Sequence, residues 1–108
     1  MTVVKDCVEV LVDKELQAAL EEYGLFASKH EAYAVILEEA DEAKEELETL
    51  EMCLKNLWEA IKENDTVQIP LCVHDVKRVA IDLVCEAIQI AAMCRKYEET
   101  FGGENHAG

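Results

Sequence analysis

Two groups of acidic side chains are the residues best placed to do chemistry. Within EEADEAKEE, Glu38, Glu39 and Glu42 form an E-E-x-x-E pattern, with Asp41, Glu45 and Glu46 around them. Spacings of three and four put Glu39 and Glu42, or Glu38 and Glu42, on one face of a helix. The second group lies in AIDLVCEAIQIAAMC, where Asp82, Glu86 and Gln89 are the polar residues of an otherwise apolar run. At about 100° per residue these three fall within roughly 60° of one another. Burying an ionised carboxylate costs several kcal/mol unless a positive charge sits beside it. Such a row therefore either faces solvent or holds a cation. Carboxylates converging from two helices, with no matching Lys or Arg, suit a hard divalent ion. Mg²⁺ takes oxygen ligands in near-octahedral geometry and keeps waters that substrate phosphates replace.

Three helices have to position these rows. Val4, Val8, Leu11, Val12, Leu16, Ala19, Leu20 and Tyr23 recur at helical intervals. They predict a first helix over about 3–23, closed by Gly24, which accepts a left-handed C-terminus. Ser28 and Glu31 have capping-box spacing, so a second helix starts there and runs to about residue 63, roughly 50 Å at 1.5 Å per residue. Asn64, Asp65 and Thr66 form the turn, with Asp65 or Thr66 as the next cap. Pro70 fits only a first helical turn, so the third helix starts between Val67 and Leu71 and ends near Thr100. The chain reads as one all-α domain over 1–101, with 102–108 a frayed tail. Its architecture is a short N-terminal helix followed by a long antiparallel helical hairpin. In that hairpin Glu42 precedes the turn by about as many residues as Glu86 follows it, so the two acidic rows fall at similar heights. An arm of two helices leaves an apolar stripe open, and a four-helix-type bundle formed by self-association would close it.

Composition narrows the partners. The 108 residues carry a formal net charge of −14. That surface repels nucleic acid polymers and anionic membranes, so a phosphate-bearing ligand needs a cation to bridge it. The five cysteines, Cys7, Cys53, Cys72, Cys85 and Cys94, include no C-x-x-C pair. Most read as small core residues of a cytoplasmic protein, and the set is a poor disulfide framework and a poor zinc site. The chain opens with no secretory leader, and no apolar run is long enough to span a bilayer. E-x-x-H pairs, calcium loops and Gly-rich phosphate loops do not occur.

The stretch SKHEAYAVILEEADE, followed far downstream by EAIQIAAM, resembles the MazG-like branch of the all-α nucleoside triphosphate pyrophosphohydrolases, a branch often met in phage and prophage genomes. The resemblance covers roughly Tyr23 to Tyr97. It implies an Mg²⁺-dependent enzyme, with Mn²⁺ as a substitute. Such enzymes split a nucleoside triphosphate between its α- and β-phosphates, and work as homodimers or homotetramers. It further implies Glu39, Glu42 and Glu86 as metal ligands, and Glu38 as the residue that orients or deprotonates the attacking water. The family's second motif is usually E-x-x-D, whereas here Glu86 is followed by Gln89. An amide oxygen ligates without adding charge, and Asp82, one turn upstream, is the candidate replacement carboxylate.

Lys29, Arg78, Arg95 and Lys96 are the available cations for phosphate, each with an ordinary surface role as its alternative. His30 and Tyr33 lie in the matching stretch and are candidate substrate contacts, Tyr33 by stacking on a base. Trp58 reads as core, unless another subunit brings it near a site. A non-catalytic helical protein that assembles through its apolar stripes, a degenerate relative of the family, is the alternative to the enzyme.

Overall fold

The computed structural model describes residues 2–106, with side chains from 4 to 102. The described residues form three α-helices and no strand: α1 (Thr2–Tyr23), α2 (Lys29–Lys62) and α3 (Gln68–His106). The fold class is all-α.

Local chemistry sets most of the helix ends. The Gly24 N–H donates to the Leu20 carbonyl at 2.9 Å, and Gly24 has φ +71°. A Cβ there would meet no neighbour, so the backbone conformation rather than space is what favours glycine. Ser28 Oγ accepts the Glu31 N–H at 3.1 Å, the first arm of the capping box. The return arm lands one residue early, with Glu31 Oε1 accepting the Ala27 N–H. Between α2 and α3, Asn64 takes φ +53°, a region Asn tolerates better than most residues. Of the two candidate caps there, Asp65 is the one used. Its Oδ1 accepts from the N–H groups of Val67 and Gln68 at 3.2 and 3.0 Å. Pro70 then falls in the first turn of α3, where no N–H is needed.

The chain divides into two compact units. The first joins the chain up to Ala40 with the chain from Ala87 onward, and so contains α1 and parts of α2 and α3. Its core is Val12, Phe26, Ala32, Ile88, Ala92 and Met93, with Val8, Val35 and Tyr97 packed against it. Ala32 and Ala92 are fully buried, and their small side chains suit close approach of helix backbones. Leu16 and Phe26 are also buried, each contributing about 1.5–3 kcal/mol. The Phe26 N–H donates to Thr100 Oγ1, which ties the α1–α2 connection to α3. The second unit, Asp41–Glu86, is the helical hairpin around the Asn64–Asp65 turn, with Ala60 and Val79 buried.

Four expectations are corrected. No cysteine is buried: Cys53 and Cys72 are partly exposed, while Cys7, Cys85 and Cys94 are exposed, so they are not core residues. All five are free thiols. Trp58 is 58% exposed and stacks under the Lys62 ammonium instead of filling a core. The middle of α3 is not buried all round, since Ile81 and Val84 are open to solvent beside the polar row. The α3 helix also runs on through Gly102 to His106, past the expected end near Thr100. Thr100 itself bonds back to the Lys96 carbonyl, a side-chain contact compatible with continued helix. Residues 107 and 108 of the expected tail lie outside the described residues. No helix among the described residues is long and apolar enough to cross a membrane.

Candidate functional site

Glu42 and Glu86 come from the opposite arms of the hairpin unit, and Glu39 stands one turn before Glu42 on the same unbroken helix. One carboxylate oxygen from each lies within 4.8 Å of the other two. Glu39 and Glu86 are partly buried and Glu42 is exposed. Glu86 Oε2 is withdrawn from solvent. This is the only group of three or more His, Cys, Asp or Glu ligand atoms with metal-binding proximity among the described residues. The donor set fits a hard cation. Mg²⁺–oxygen distances near 2.0–2.1 Å put opposed ligands about 4.2 Å apart and adjacent ones about 2.9 Å apart, so the three oxygens would close in on a bound ion by rotamer adjustment. Charge, hardness and ligand count all favour Mg²⁺ or Mn²⁺ over zinc, which prefers nitrogen and sulfur.

Glu38 is exposed, next to Glu39 in sequence, and with Glu39 lines a cleft of the first unit. Asp82 is outside the acidic group. It lies 3.9 Å from Arg78 on the solvent side of α3, with about half its side chain exposed, so its charge is balanced there. Gln89 has a different partner from the one expected. Its Nε2 donates to Glu15 Oε2 of α1 at 2.8 Å. The amide is thus committed as a donor to a carboxylate that the sequence reading did not consider.

The expected phosphate and base contacts are dispersed. Arg95 pairs with Asp13 of α1 and lies 3.8 Å from Glu99. Lys29, His30 and Tyr33 line a shallow depression of about 210 Å³ at the start of α2, where Tyr33 is largely exposed. The Lys29 ammonium sits 5.7 Å from the Phe101 ring centre.

A larger cleft of about 480 Å³ lies in the first unit. Phe26, Val35 and Met93 form its apolar wall, while Glu15, Glu38, Glu39 and Gln89 supply carboxylates and an amide. Lys96, only 5% exposed, also lines it. At the rim, Tyr23 donates to the Glu22 carboxylate, and that hydrogen bond, with the repulsion of a second negative charge, raises the phenol above its usual range. Sequence reasoning passed over Glu15, Phe26 and the burial of Lys96. A signal was present for Lys96: it follows Gln89 by seven residues and Met93 by three, both helical spacings, on the side of α3 that faces the cleft.

Comparison with known proteins finds no matching family model, no matching curated protein and no matching solved structure.

Proposed function

We propose that this chain is an Mg²⁺-dependent nucleoside triphosphate pyrophosphohydrolase that cleaves between the α- and β-phosphates to give a monophosphate and pyrophosphate. The observation that carries the reading is the convergence of Glu39, Glu42 and Glu86 within 4.8 Å, from two helices that the sequence separates widely. The resemblance of SKHEAYAVILEEADE and EAIQIAAM to MazG-like enzymes gives that convergence its chemical meaning.

In this reading Glu39, Glu42 and Glu86 hold Mg²⁺ or Mn²⁺. When bound, the ion supplies Lewis-acid stabilisation of charge on the transferring phosphates. Without it, the −14 chain repels a triphosphate. Glu38, exposed beside Glu39, orients the attacking water and accepts its proton. Glu15 accepts a hydrogen bond from the Gln89 amide, so the three carboxylates bind the ion without the help of residue 89. Asp82 stays with Arg78. The free thiols fit a cytoplasmic protein.

The same reading has the chain work as a homodimer or homotetramer. Met52, Trp58, Val67, Leu71 and Val73 of the hairpin unit are all at least half exposed, an apolar surface that a second copy would cover to give a four-helix-type bundle.

Those exposed side chains also favour a second reading, a non-catalytic helical protein whose role is assembly. One experiment separates the two. Pyrophosphate release is measured across a panel of ribo- and deoxyribonucleoside triphosphates with Mg²⁺ or Mn²⁺. The enzyme reading expects turnover of at least one substrate and its abolition in Glu42→Gln. Silence across the whole panel with both metals would leave only the assembly reading.

A further inference from the structure

The hairpin unit, Asp41–Glu86, carries a seven-residue pattern on both arms. Leu50, Cys53 and Leu57 on α2, and Val76, Val79 and Leu83 on α3, recur at spacings of three and four and are partly or fully buried, so they form the seam between the arms. A second apolar row follows the seam by one residue: Leu54 after Cys53, Ile61 after Ala60, Val73 after Cys72 and Ala80 after Val79. One residue turns a helix by about 100°. Because the arms run in opposite directions, the same turn from the seam brings both rows to one side of the hairpin. Leu47 and Trp58 extend that side on α2, and Val84 on α3. Leu47, Leu54, Trp58, Ile61, Val73 and Val84 are between 44% and 58% exposed. The residues that precede the seam fall on the other side and are polar: Thr49, Asn56, Asp75 and Asp82.

Charge is sorted along with the apolar rows. Lys44, Lys55 and Lys62 of α2 and Lys77 of α3 run alongside the open apolar side, with Glu48 and Glu51 the carboxylates among them. Arg78 is the remaining Lys or Arg of the unit, while Glu42, Glu45, Asp75 and Asp82 lie away from this side. Lys62 is balanced by Glu59 at 2.7 Å and sits over the Trp58 ring. Lys44, Lys55 and Lys77 are exposed and make no ion pair among the described residues. In a chain of net charge −14, cations without partners are thus gathered beside exposed apolar side chains.

We propose that this side of the hairpin docks an amphipathic helix of another protein whose apolar row is edged by Asp or Glu. A helix laid along two others fills the groove between Leu54, Ile61 and Val73 as apolar anchors fill helix-binding grooves elsewhere, and its acidic edges meet Lys44, Lys55 and Lys77. The remote carboxylates oppose it only weakly, since charges are screened over about 8 Å at physiological salt, less than the width of one helix. A second copy, the occupant given above for Trp58 and Val73, would set the same lysines against one another, and the two occupants compete for one face. The proposal does not depend on the enzyme reading.

The experiment uses two synthetic helical peptides with one leucine row, one edged by Glu and the other by Lys, titrated into the full chain at 0.15 M NaCl. Anisotropy of a labelled peptide gives the affinity, and the fluorescence of Trp58, the one tryptophan of the chain, reports the face. The Glu-edged peptide is expected to bind at least about tenfold more tightly than the Lys-edged one, as three exposed ion pairs allow, and to shift Trp58 emission to the blue. Reversing Lys44, Lys55 and Lys77 to Glu together should invert the preference; these side chains are exposed, and a thermal melt confirms that the variant folds. Leu54→Asp should weaken the Glu-edged peptide about tenfold through the apolar row alone. Equal affinities, preference for the Lys-edged peptide, which the net charge by itself would give, or no binding of either overturns the proposal. So does a wild-type dimer whose formation excludes the Glu-edged peptide, which assigns the face to a second copy.

Discussion

The Gln89 amide donates to the Glu15 carboxylate at 2.8 Å, joining α3 to α1 inside the first unit. Both groups are partly buried, so each satisfies a polar atom that water reaches poorly. The bond also fixes the identity of residue 89. A carboxylate there, as in the E-x-x-D motif of the family that the sequence resembles, would face Glu15 with like charge.

Gln89→Asp should therefore destabilise the chain, by about 1–2 kcal/mol for a lost charged hydrogen bond plus repulsion, or roughly 5–10 °C in Tm for a domain of this size. Adding Glu15→Gln to Gln89→Asp should recover most of the loss, because the donor and acceptor are then exchanged. Thermal melts of the wild type, the two single variants and the double variant check this as a double-mutant cycle. Additive effects would show that the two side chains do not couple.

Glu42 stands beside two other carboxylates. Removing its charge in Glu42→Gln should raise the metal-free Tm, since each like-charge contact at this separation costs about 1 kcal/mol in a water-like dielectric. Millimolar Mg²⁺ should raise the wild-type Tm by ligand linkage, by about 1.4 kcal/mol when the ion is at ten times its Kd. The Glu42→Gln variant should show little of that rise. A wild-type melt indifferent to Mg²⁺ and Mn²⁺ would remove the metal from the site.

Trp58 is 58% exposed on the hairpin unit. In an assembly that covers this side chain, Trp58→Glu should weaken association by at least tenfold, since a buried aromatic anchor is exchanged for a desolvated charge. Light scattering after size exclusion, run over a concentration series, reads the effect. A wild-type chain that stays monomeric throughout contradicts the self-association reading.

Tyr23 should titrate above the ordinary tyrosine range. Its phenol donates to Glu22, and losing the proton would place two negative charges side by side. The folded chain holds this proton more tightly than the unfolded chain does. The stabilising effect is thus fully present below the ordinary tyrosine range and is lost as pH rises through the elevated folded value. Phenolate absorbance followed through alkaline pH should show a late phase that Tyr23→Phe removes, and Glu22→Gln should return that phase to the ordinary range.

The sequence by itself determined the helices and much of where they stop. Gly24, the Ser28–Glu31 pair, Asp65 and Pro70 act through backbone atoms within a few residues, so their consequences need no distant partner. Equal counting from a single turn also brings Glu42 and Glu86 to one height on a hairpin. Tertiary packing decided what each side chain meets. Helical periodicity assigns a residue to a face, but it does not say which neighbour that face will find. That is why Gln89 bonds to Glu15 instead of joining Glu86, and why Arg95 turns to Asp13. It is also why Lys96 is buried against Phe26 while Trp58 and the cysteines remain open. Burial is a property of the assembled surfaces, set by contacts between residues as distant in the chain as Glu15 and Gln89, and a local pattern marks only the face that could be covered.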